Sequence, residues 1–367
     1  MSKSVTQRCL HLAHGRRAGT LLVSLPAALL ITALAVFGRG PRLVTQYYLV
    51  NDPSSVQSFE ANHARISILS PQWFSVDEKG NVDSSVDSTV VESAAGKGVP
   101  LMPLVVNQKF LPAAAHAVLG DASLQSRVIE RLVELAGGNH FFGLQLDFEN
   151  IPAEDRDRYS EFVHRAAGEF RRSHLKLSVA VPPPLAPPPA ASASAPPTSS
   201  GWITNGHSLA FDYHSIANDA YFISLMTYDE YASPEQPGPV AGRPWVEACL
   251  RKALESVPAK KLLLGIPLYY REWAGKSVNE GSIPDARVLA EKWKANIVSD
   301  PEQHEATFTF SDPQQQHVVW LEDDQSLRER LDLADQFRLA GISVWRLGFE
   351  DPAAWEKSLR IAIKKIH

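Results

Sequence analysis

The chain has 367 residues and a net charge of −5, with 44% hydrophobic and 21% charged residues. This length suits one large or two ordinary domains, and the composition is typical of a globular protein. The acidic balance and the lack of a dense basic stripe in the body of the chain argue against a nucleic-acid-binding protein.

Metal, cofactor and disulfide chemistry find little support in the sequence. The two cysteines, Cys9 and Cys249, exclude a disulfide framework. None of the twelve histidines falls in a metal-binding spacing, so no metal site is predicted. The run Gly96-Lys97-Gly98 lacks the rest of a phosphate-binding loop, and we predict no cofactor.

The N-terminus predicts export. Basic residues in 1–17 precede an uncharged run, 18–37, that is long enough to cross a bilayer as a helix. This charge order favours a cytoplasmic tail and an uncleaved signal-anchor, with the remainder facing the periplasm or exterior. A cleaved signal peptide is the alternative, because Ala33-Leu34-Ala35 is an A-x-A site. The protein is then either anchored in the cytoplasmic (inner) membrane or secreted.

Eight short apolar runs follow, and several are apolar throughout, as parallel strands buried on both faces should be. They are Thr45–Val50, Arg65–Leu69, Leu101–Val106, Phe141–Phe148, Leu175–Val181, Tyr221–Thr227, Lys261–Pro267 and Gly341–Leu347.

Helical patterns separate these runs. Asp121 is a plausible N-cap, Pro152 and Pro244 each open a helix, and Ser326–Leu339 forms another. Eight strands alternating with helices predict an α/β fold, a (β/α)8 TIM barrel over 43–367. A doubly wound open sheet is the alternative, but the glycine-rich first turn that usually marks it is not visible.

Two segments look like insertions in this barrel. The stretch 182–201 is dense in Pro, Ala and Ser and predicts an exposed loop on the mouth side. The stretch 274–323, between strands 7 and 8, contains a helical pattern (286–295) and two β-like runs (306–310 and 317–320). It predicts a small α+β subdomain beside the cleft.

The fourth strand ends in two carboxylates. Side chains alternate across a strand, so Asp147 and Glu149 project from the same wall, with Cα atoms roughly 6.6 Å apart. Two groups on one wall cannot easily flank an anomeric carbon as acid and nucleophile. A retaining glycosidase built this way needs another nucleophile, such as a 2-acetamido carbonyl of the substrate.

Polar and aromatic side chains end the other strands, which in such barrels meet at the mouth. Aromatic rings with carboxylates suit a sugar chain, whose C–H faces stack while its hydroxyls hydrogen-bond. The candidates for substrate binding are Trp73, Asn107, Gln145, Met226, Asp229, Tyr269, Arg271 and Trp345.

These motifs resemble glycoside hydrolase family 18, the chitinase-like barrels. The resemblance is carried by Leu144–Glu149, Met226–Asp229, Gly265–Trp273 and Trp345. It implies a retaining enzyme that hydrolyses β-linked N-acetylglucosamine-containing polysaccharides or oligosaccharides with substrate assistance. It implies Glu149 as the general acid, Asp147 as the residue that orients the acetamido group, and Tyr228 as a donor to that group.

Two positions depart from the family pattern, because Phe142 and Gln145 stand where the family has acidic residues. Gln145 lies on the inward face beside Asp147. We expect its amide to hydrogen-bond Asp147 and to alter the pH profile. An amide here resembles the branch that acts on peptidoglycan or bacterial poly-N-acetylglucosamine.

Two other classes of function stay open at this stage. A barrel that binds glycans without cleaving them, like a lectin, is the main alternative, although the chain retains both Asp147 and Glu149. A scaffold role, with 182–200 docking a protein partner, is the third.

Overall fold

The computed structural model describes residues 43–188 and 202–359. The predicted anchor, 18–37, lies outside these residues, as does most of the Pro/Ala/Ser-rich loop. Within the described ranges, no helix is long and apolar enough to cross a membrane. Cys249 is a free, buried thiol.

The predicted barrel is confirmed. Its eight strands are β1 Val44–Leu49, β2 Ile68–Val76, β3 Leu104–Asn107, β4 Gly143–Asp147, β5 Lys176–Val181, β6 Ile223–Leu225, β7 Leu262–Pro267 and β8 Gly341–Trp345. Each strand pairs in parallel with its neighbours in chain order, and β1 pairs with both β2 and β8. This last pairing closes the sheet, so the open-sheet alternative is wrong.

Helices cover the outside of the barrel, except the helix Ile283–Trp293, which packs in the insertion described below. They are α1 Pro53–Asn62, α2 Ser88–Lys97, α3 Pro112–Gly120, α4 Ala122–Gly138, α5 Arg156–Arg172, α6 Tyr213–Asp219, α7 Arg243–Ala253, α8 Ile283–Trp293 and α9 Asp324–Gln336. As predicted, Asp121 caps α4 by accepting the N–H groups of Ser123 and Leu124.

The strand that carries the two carboxylates is anchored on its outer face. Phe148 is fully buried, and its ring lies 5.9 Å from that of Phe162 and 6.2 Å from that of Tyr159, both on α5. Because side chains alternate, this packing turns the neighbouring Asp147 and Glu149 toward the barrel mouth.

Two glycines let strands approach closely at the bottom of the barrel. A Cβ on Gly143 would lie 1.8 Å from the carbonyl oxygen of Lys176, and one on Gly341 would lie 1.9 Å from that of Val44. Any side chain at the start of β4 or β8 would therefore push the neighbouring strand away.

The predicted insertion begins five residues earlier than expected, at Tyr269. It is an antiparallel sheet of Tyr269–Ala274, Ser277–Ser282, Val298–Ser299, Ala306–Ser311 and Gln316–Leu321, with α8 packed against it. Its core includes Ile283, Phe308 and Val319. Tyr269 and Arg271 therefore belong to a central strand of this subdomain and not to the end of β7.

Shorter elements complete the described chain. Val82–Ser84 pairs with β2, and Leu185–Ala186 pairs with Ile203–Thr204. Short 3-10 helices occupy His63–Arg65, Gln108–Phe110, Ala153–Asp155, Gly206–Ala210, Ala259–Lys261 and Pro352–Trp355. Leu185–Ala186, within the stretch predicted to be an exposed loop, is thus a half-buried strand.

Candidate active site

Asp147 is the last residue of β4 and is 6% exposed. Burial raises the pKa of this carboxyl well above its usual range. Its Oδ1 has no hydrogen-bond partner within residues 43–188 and 202–359. An unsatisfied, buried carboxyl at the mouth of a barrel is a strong candidate for a group that meets substrate.

Glu149 lies two residues further on and lines a cleft of about 280 Å³. Its pKa is raised to about 8, mainly by burial and in smaller part by the charges of Asp147 and Asp229. The side chain is therefore protonated at neutral pH. A protonated carboxyl that reaches a cleft has the properties of a general acid.

Asn107 holds the main chain of Glu149. It ends β3 and is fully buried, and its side chain bonds the backbone of Glu149 and the carbonyl of Leu111. The prediction that Asn107 binds substrate is therefore wrong, because its amide faces the protein. It holds the main chain of Glu149 instead.

Three predicted residues from the end of β6 line the same cleft: Met226, Tyr228 and Asp229. Burial raises the pKa of the Tyr228 hydroxyl well above its usual range, so this group stays a hydrogen-bond donor. Asp229 adopts a left-handed backbone, with φ of 63°, which directs the chain sharply after the strand.

Tyr269 and Arg271 fix Asp229 from the insertion subdomain. The Tyr269 hydroxyl donates to Oδ1 of Asp229, and Arg271 Nη2 lies 2.8 Å from the same oxygen. Arg271 also donates to the carbonyl of Tyr231 at 3.1 Å. Both residues are at least nine-tenths buried, so they support the cleft wall and do not line it.

Trp345 ends β8 and is partly exposed at the mouth. Its ring lies 5.6 Å from that of Tyr48, near the end of β1. Tyr48 was not predicted from the sequence, although its place near a strand end is the signal that identified the other residues. Its hydroxyl is close enough to Asp147 for that charge to raise its pKa, after burial as the larger cause.

The contacts of Gln145 differ from the expected hydrogen bond to Asp147. Its side chain is fully buried inside the barrel, where Nε2 donates to the Tyr48 hydroxyl at 3.1 Å and Oε1 accepts from Gln46. Gln46 also bonds Ser70 and Ser224. Gln145 therefore belongs to a polar layer beneath Asp147 that links four strands, and neither bonds Asp147 nor lines the cleft.

Trp73 is also not a cleft residue. It is 2% exposed, packs 5.9 Å from the ring of Phe141, and donates from Nε1 to Asn51 at 2.8 Å. The register of β2 against β3 shifts between Gln72 and Phe74, which is a β-bulge. The bulge breaks the side-chain alternation at this point, so the prediction that Trp73 binds substrate is wrong.

A second wall of the cleft was not predicted. Residues 182–188 and 202–211, here called the β5–β6 wall, contribute Pro182, Pro183, Asn205, His207 and Phe211 to the lining. They lie in an irregular connection with no periodic pattern, so no signal in one sequence singles them out. No group of three or more His, Cys, Asp or Glu in the described ranges could hold a metal ion.

Comparisons with known proteins agree with this geometry. The sequence profile described as glycosyl hydrolases family 18 matches residues 107–350. The chain belongs to glycosyl hydrolase family 18. It is therefore a glycoside hydrolase, and both carboxylates and the β6 cleft residues lie within the matched segment.

Relatives of this family 18 member include bacterial enzymes. The chain is 27% identical over 330 residues to a Bacillus subtilis protein described as uncharacterized glycosylase YvbX, covering 88% of this chain and 92% of that one. It is 30% identical over 256 residues to the cortical fragment-lytic enzyme of Bacillus subtilis, covering 68% and 56%.

Solved structures share the barrel. A chitinase from Chromobacterium violaceum superposes with a TM-score of 0.76 at 26% identity, covering 86% of this chain and 97% of that one. The Bacillus cereus spore cortex-lytic enzyme SleL superposes with a TM-score of 0.78 at 21% identity, covering 90% and 76%.

Proposed function

We propose that this glycoside hydrolase cleaves β-linked N-acetylglucosamine-containing glycans with retention, by substrate-assisted catalysis with Glu149 as acid and base. The observation that carries the proposal is the pair at the end of β4. Asp147 ends β4, Glu149 follows two residues later, and burial raises the pKa of both carboxyls. Such a pair supplies one acid and one helper on the same side of a sugar.

In the first step Glu149 gives its proton to the glycosidic oxygen. The C1–O bond breaks, and its electron pair stays with the leaving sugar. The carbonyl oxygen of the substrate's 2-acetamido group attacks C1 from the opposite face and forms a cyclic oxazolinium intermediate. In the second step the Glu149 carboxylate takes a proton from water as that water attacks C1, which restores the acetamido group.

Asp147 and Tyr228 act on the acetamido group in this proposal. The unpartnered Oδ1 of Asp147 is available to accept the acetamido N–H. The Tyr228 hydroxyl is a donor for the acetamido oxygen. Holding the group in place converts its attack on C1 into an intramolecular step.

Asp229 is the other carboxyl that lines the cleft, so it must be considered as a nucleophile. Its Oδ1 is engaged by both Tyr269 and Arg271, which hold it on the wall. A carboxylate fixed by a buried arginine is poorly placed to attack C1. The substrate's own carbonyl is the better candidate.

Two similar proteins indicate the class of substrate. One is a cortical fragment-lytic enzyme and one similar structure is a chitinase. Together they support a glycan with N-acetylglucosamine units, either a chitin-like or a peptidoglycan-like chain. Export of the barrel is part of the proposal and rests on residues 1–37 alone.

Replacing Glu149 with Gln tests the assignment. The variant keeps the shape of the side chain and its cleft contacts but cannot donate a proton as an acid. We expect turnover to fall by at least about 10³-fold while oligosaccharide binding is retained. A panel of chitin oligomers, peptidoglycan strands and poly-β-1,6-N-acetylglucosamine serves as substrate, and unchanged turnover of the cleaved member would contradict the proposal.

A further inference from the structure

The bottom of the barrel, at the opposite end from the two carboxylates, is a basic surface. It is formed by the segments that lead into β4 to β8, which we call the basic face: 139–142, 171–176, 219–222, 258–261 and 338–340. These segments contain six Lys or Arg residues and one acidic residue, in a chain whose net charge is −5. Positive charge is therefore concentrated at the end of the barrel that lies away from the cleft.

Partly exposed aromatic rings lie among these charges. Tyr221 is 40% exposed, and its ring lies 5.6 Å from that of Phe142 and 5.3 Å from that of Phe222. The Lys176 ammonium lies 5.5 Å from the centre of the Tyr221 ring. Phe142 is one of the two positions that depart from the family pattern. An aromatic ring thus stands where an acidic residue is expected, which makes the face both more apolar and more positive.

Helix ends explain part of this positive charge and not the rest. The Lys261 ammonium donates to two carbonyls at the C-terminal end of α6, where the helix dipole favours a cation. Arg171 lies 3.8 Å from Asp219, the acidic residue of the basic face. Lys176 and Lys260 are exposed and lie outside the α-helices, so their charges are not explained in this way.

The chain enters the barrel at the same face. Val44 begins β1, and it belongs to a buried cluster with Phe222 on which Phe142 packs. The uncharged run that predicts a membrane segment ends at residue 37, seven residues before Val44. Because seven residues span at most about 25 Å, a membrane segment there would tether this end of the barrel and not the mouth.

We propose that the basic face docks on an anionic lipid bilayer, with the Tyr221 ring among the headgroups and Lys176 and Lys260 against lipid phosphates. Lysines are attracted to an anionic membrane surface, and tyrosine rings concentrate at the membrane–water interface. The inference rests on the export that is part of the proposed function, and it adds an orientation. The mouth faces away from the membrane, toward glycans outside it.

Lysine footprinting of the full chain on vesicles tests this contact. The vesicles consist of phosphatidylcholine alone or of phosphatidylcholine and phosphatidylglycerol in equal parts, and mass spectrometry follows trace acetylation of each lysine. We expect Lys176 and Lys260 to react about threefold more slowly, or slower still, on the anionic vesicles, because each is attracted to such a surface. Lys79 and Lys276 are exposed on segments that follow the C-terminal ends of β2 and β7, and should react equally on both.

Two variants and two further conditions complete the test. Lys260→Glu should reduce the protection of Lys176, whereas the matched control Lys276→Glu should leave it unchanged. Raising the ionic strength to about 1 M should weaken the protection, because the Debye length falls to about 3 Å. Equal acetylation on the two kinds of vesicle, no association with either, or full protection by polyphosphate without lipid would overturn the inference. Hydrolysis of the glycan panel by the same preparation distinguishes these outcomes from a failure of the proposed catalysis.

Discussion

The side-chain amide of Asn107 hydrogen-bonds both backbone groups of Glu149. Its Oδ1 accepts the Glu149 N–H at 2.8 Å, and its Nδ2 donates to the Glu149 carbonyl at 3.0 Å. A third bond, to the Leu111 carbonyl at 3.0 Å, fixes the orientation of the amide. The position of the proposed acid is therefore set from β3, the neighbouring strand.

Asn107→Ala removes these hydrogen bonds and should lower kcat by about 10- to 100-fold, because a small displacement of a catalytic group slows the reaction strongly. Steady-state kinetics on the cleaved glycan measures the change. Asn139→Ala is the matched control, since Asn139 also donates from its side chain to a backbone carbonyl (Leu135, 2.8 Å) but does so at the end of α4. An unchanged kcat in Asn107→Ala would show that these hydrogen bonds do not position Glu149.

The raised pKa of Glu149 predicts the alkaline limb of the pH profile. The acid must be protonated in the free enzyme, so kcat/KM should fall as pH rises through about 8. The negative charge of Asp147 contributes to this raised pKa, and its removal favours ionisation of Glu149. Asp147→Asn should therefore move the limb to lower pH as well as reduce kcat. A limb that stays in place or moves upward would rule out this coupling.

A buried charge cluster supports the loop after β6. Arg330 is fully buried, with Nε 3.8 Å from Glu322 and Nη2 4.0 Å from Glu305. The carboxylate of Glu305 accepts the N–H groups of Val240 and Ala241. The cluster thus ties α9 and the insertion subdomain to the segment that follows the cleft residues.

Arg330→Ala should reduce the free energy of unfolding by about 3 kcal/mol or more, because it leaves buried carboxyls without their cation. Urea denaturation at pH 7 measures the loss. Arg328→Ala breaks an exposed i,i+4 pair with Asp324 on the same helix and should cost less than about 1 kcal/mol. Similar losses of unfolding free energy in the two variants would show that the buried Arg330 cluster contributes no more to stability than an exposed ion pair.

The barrel could be predicted because several of its strands are nearly continuous apolar runs and because its helices begin at recognisable caps. Boundaries were less certain. The strand β2 runs to Val76, seven residues past the predicted end, because its last residues pair with Val82–Ser84. The strand β6 stops at Leu225, before the predicted Thr227.

The side-chain directions expected from strand alternation fit Asp147, which ends β4, and Glu149, which lies two residues beyond it. They do not fit where another contact intervenes. The bulge in β2 places Trp73 in the core, and the partners of Gln145 lie on other strands. His207 belongs to an irregular connection, where position depends on tertiary contacts such as those of Asn205.

Substrate assistance is the central claim, and removing the acetamido group from the substrate tests it most directly. The measurement compares hydrolysis and binding of the cleaved oligosaccharide with those of its fully de-N-acetylated counterpart, matched in length and linkage. We predict that the de-N-acetylated oligomer binds to the wild-type protein but is not cleaved, because it lacks the carbonyl that attacks C1. Rapid cleavage of that oligomer would contradict the account and would point to a nucleophile from the protein.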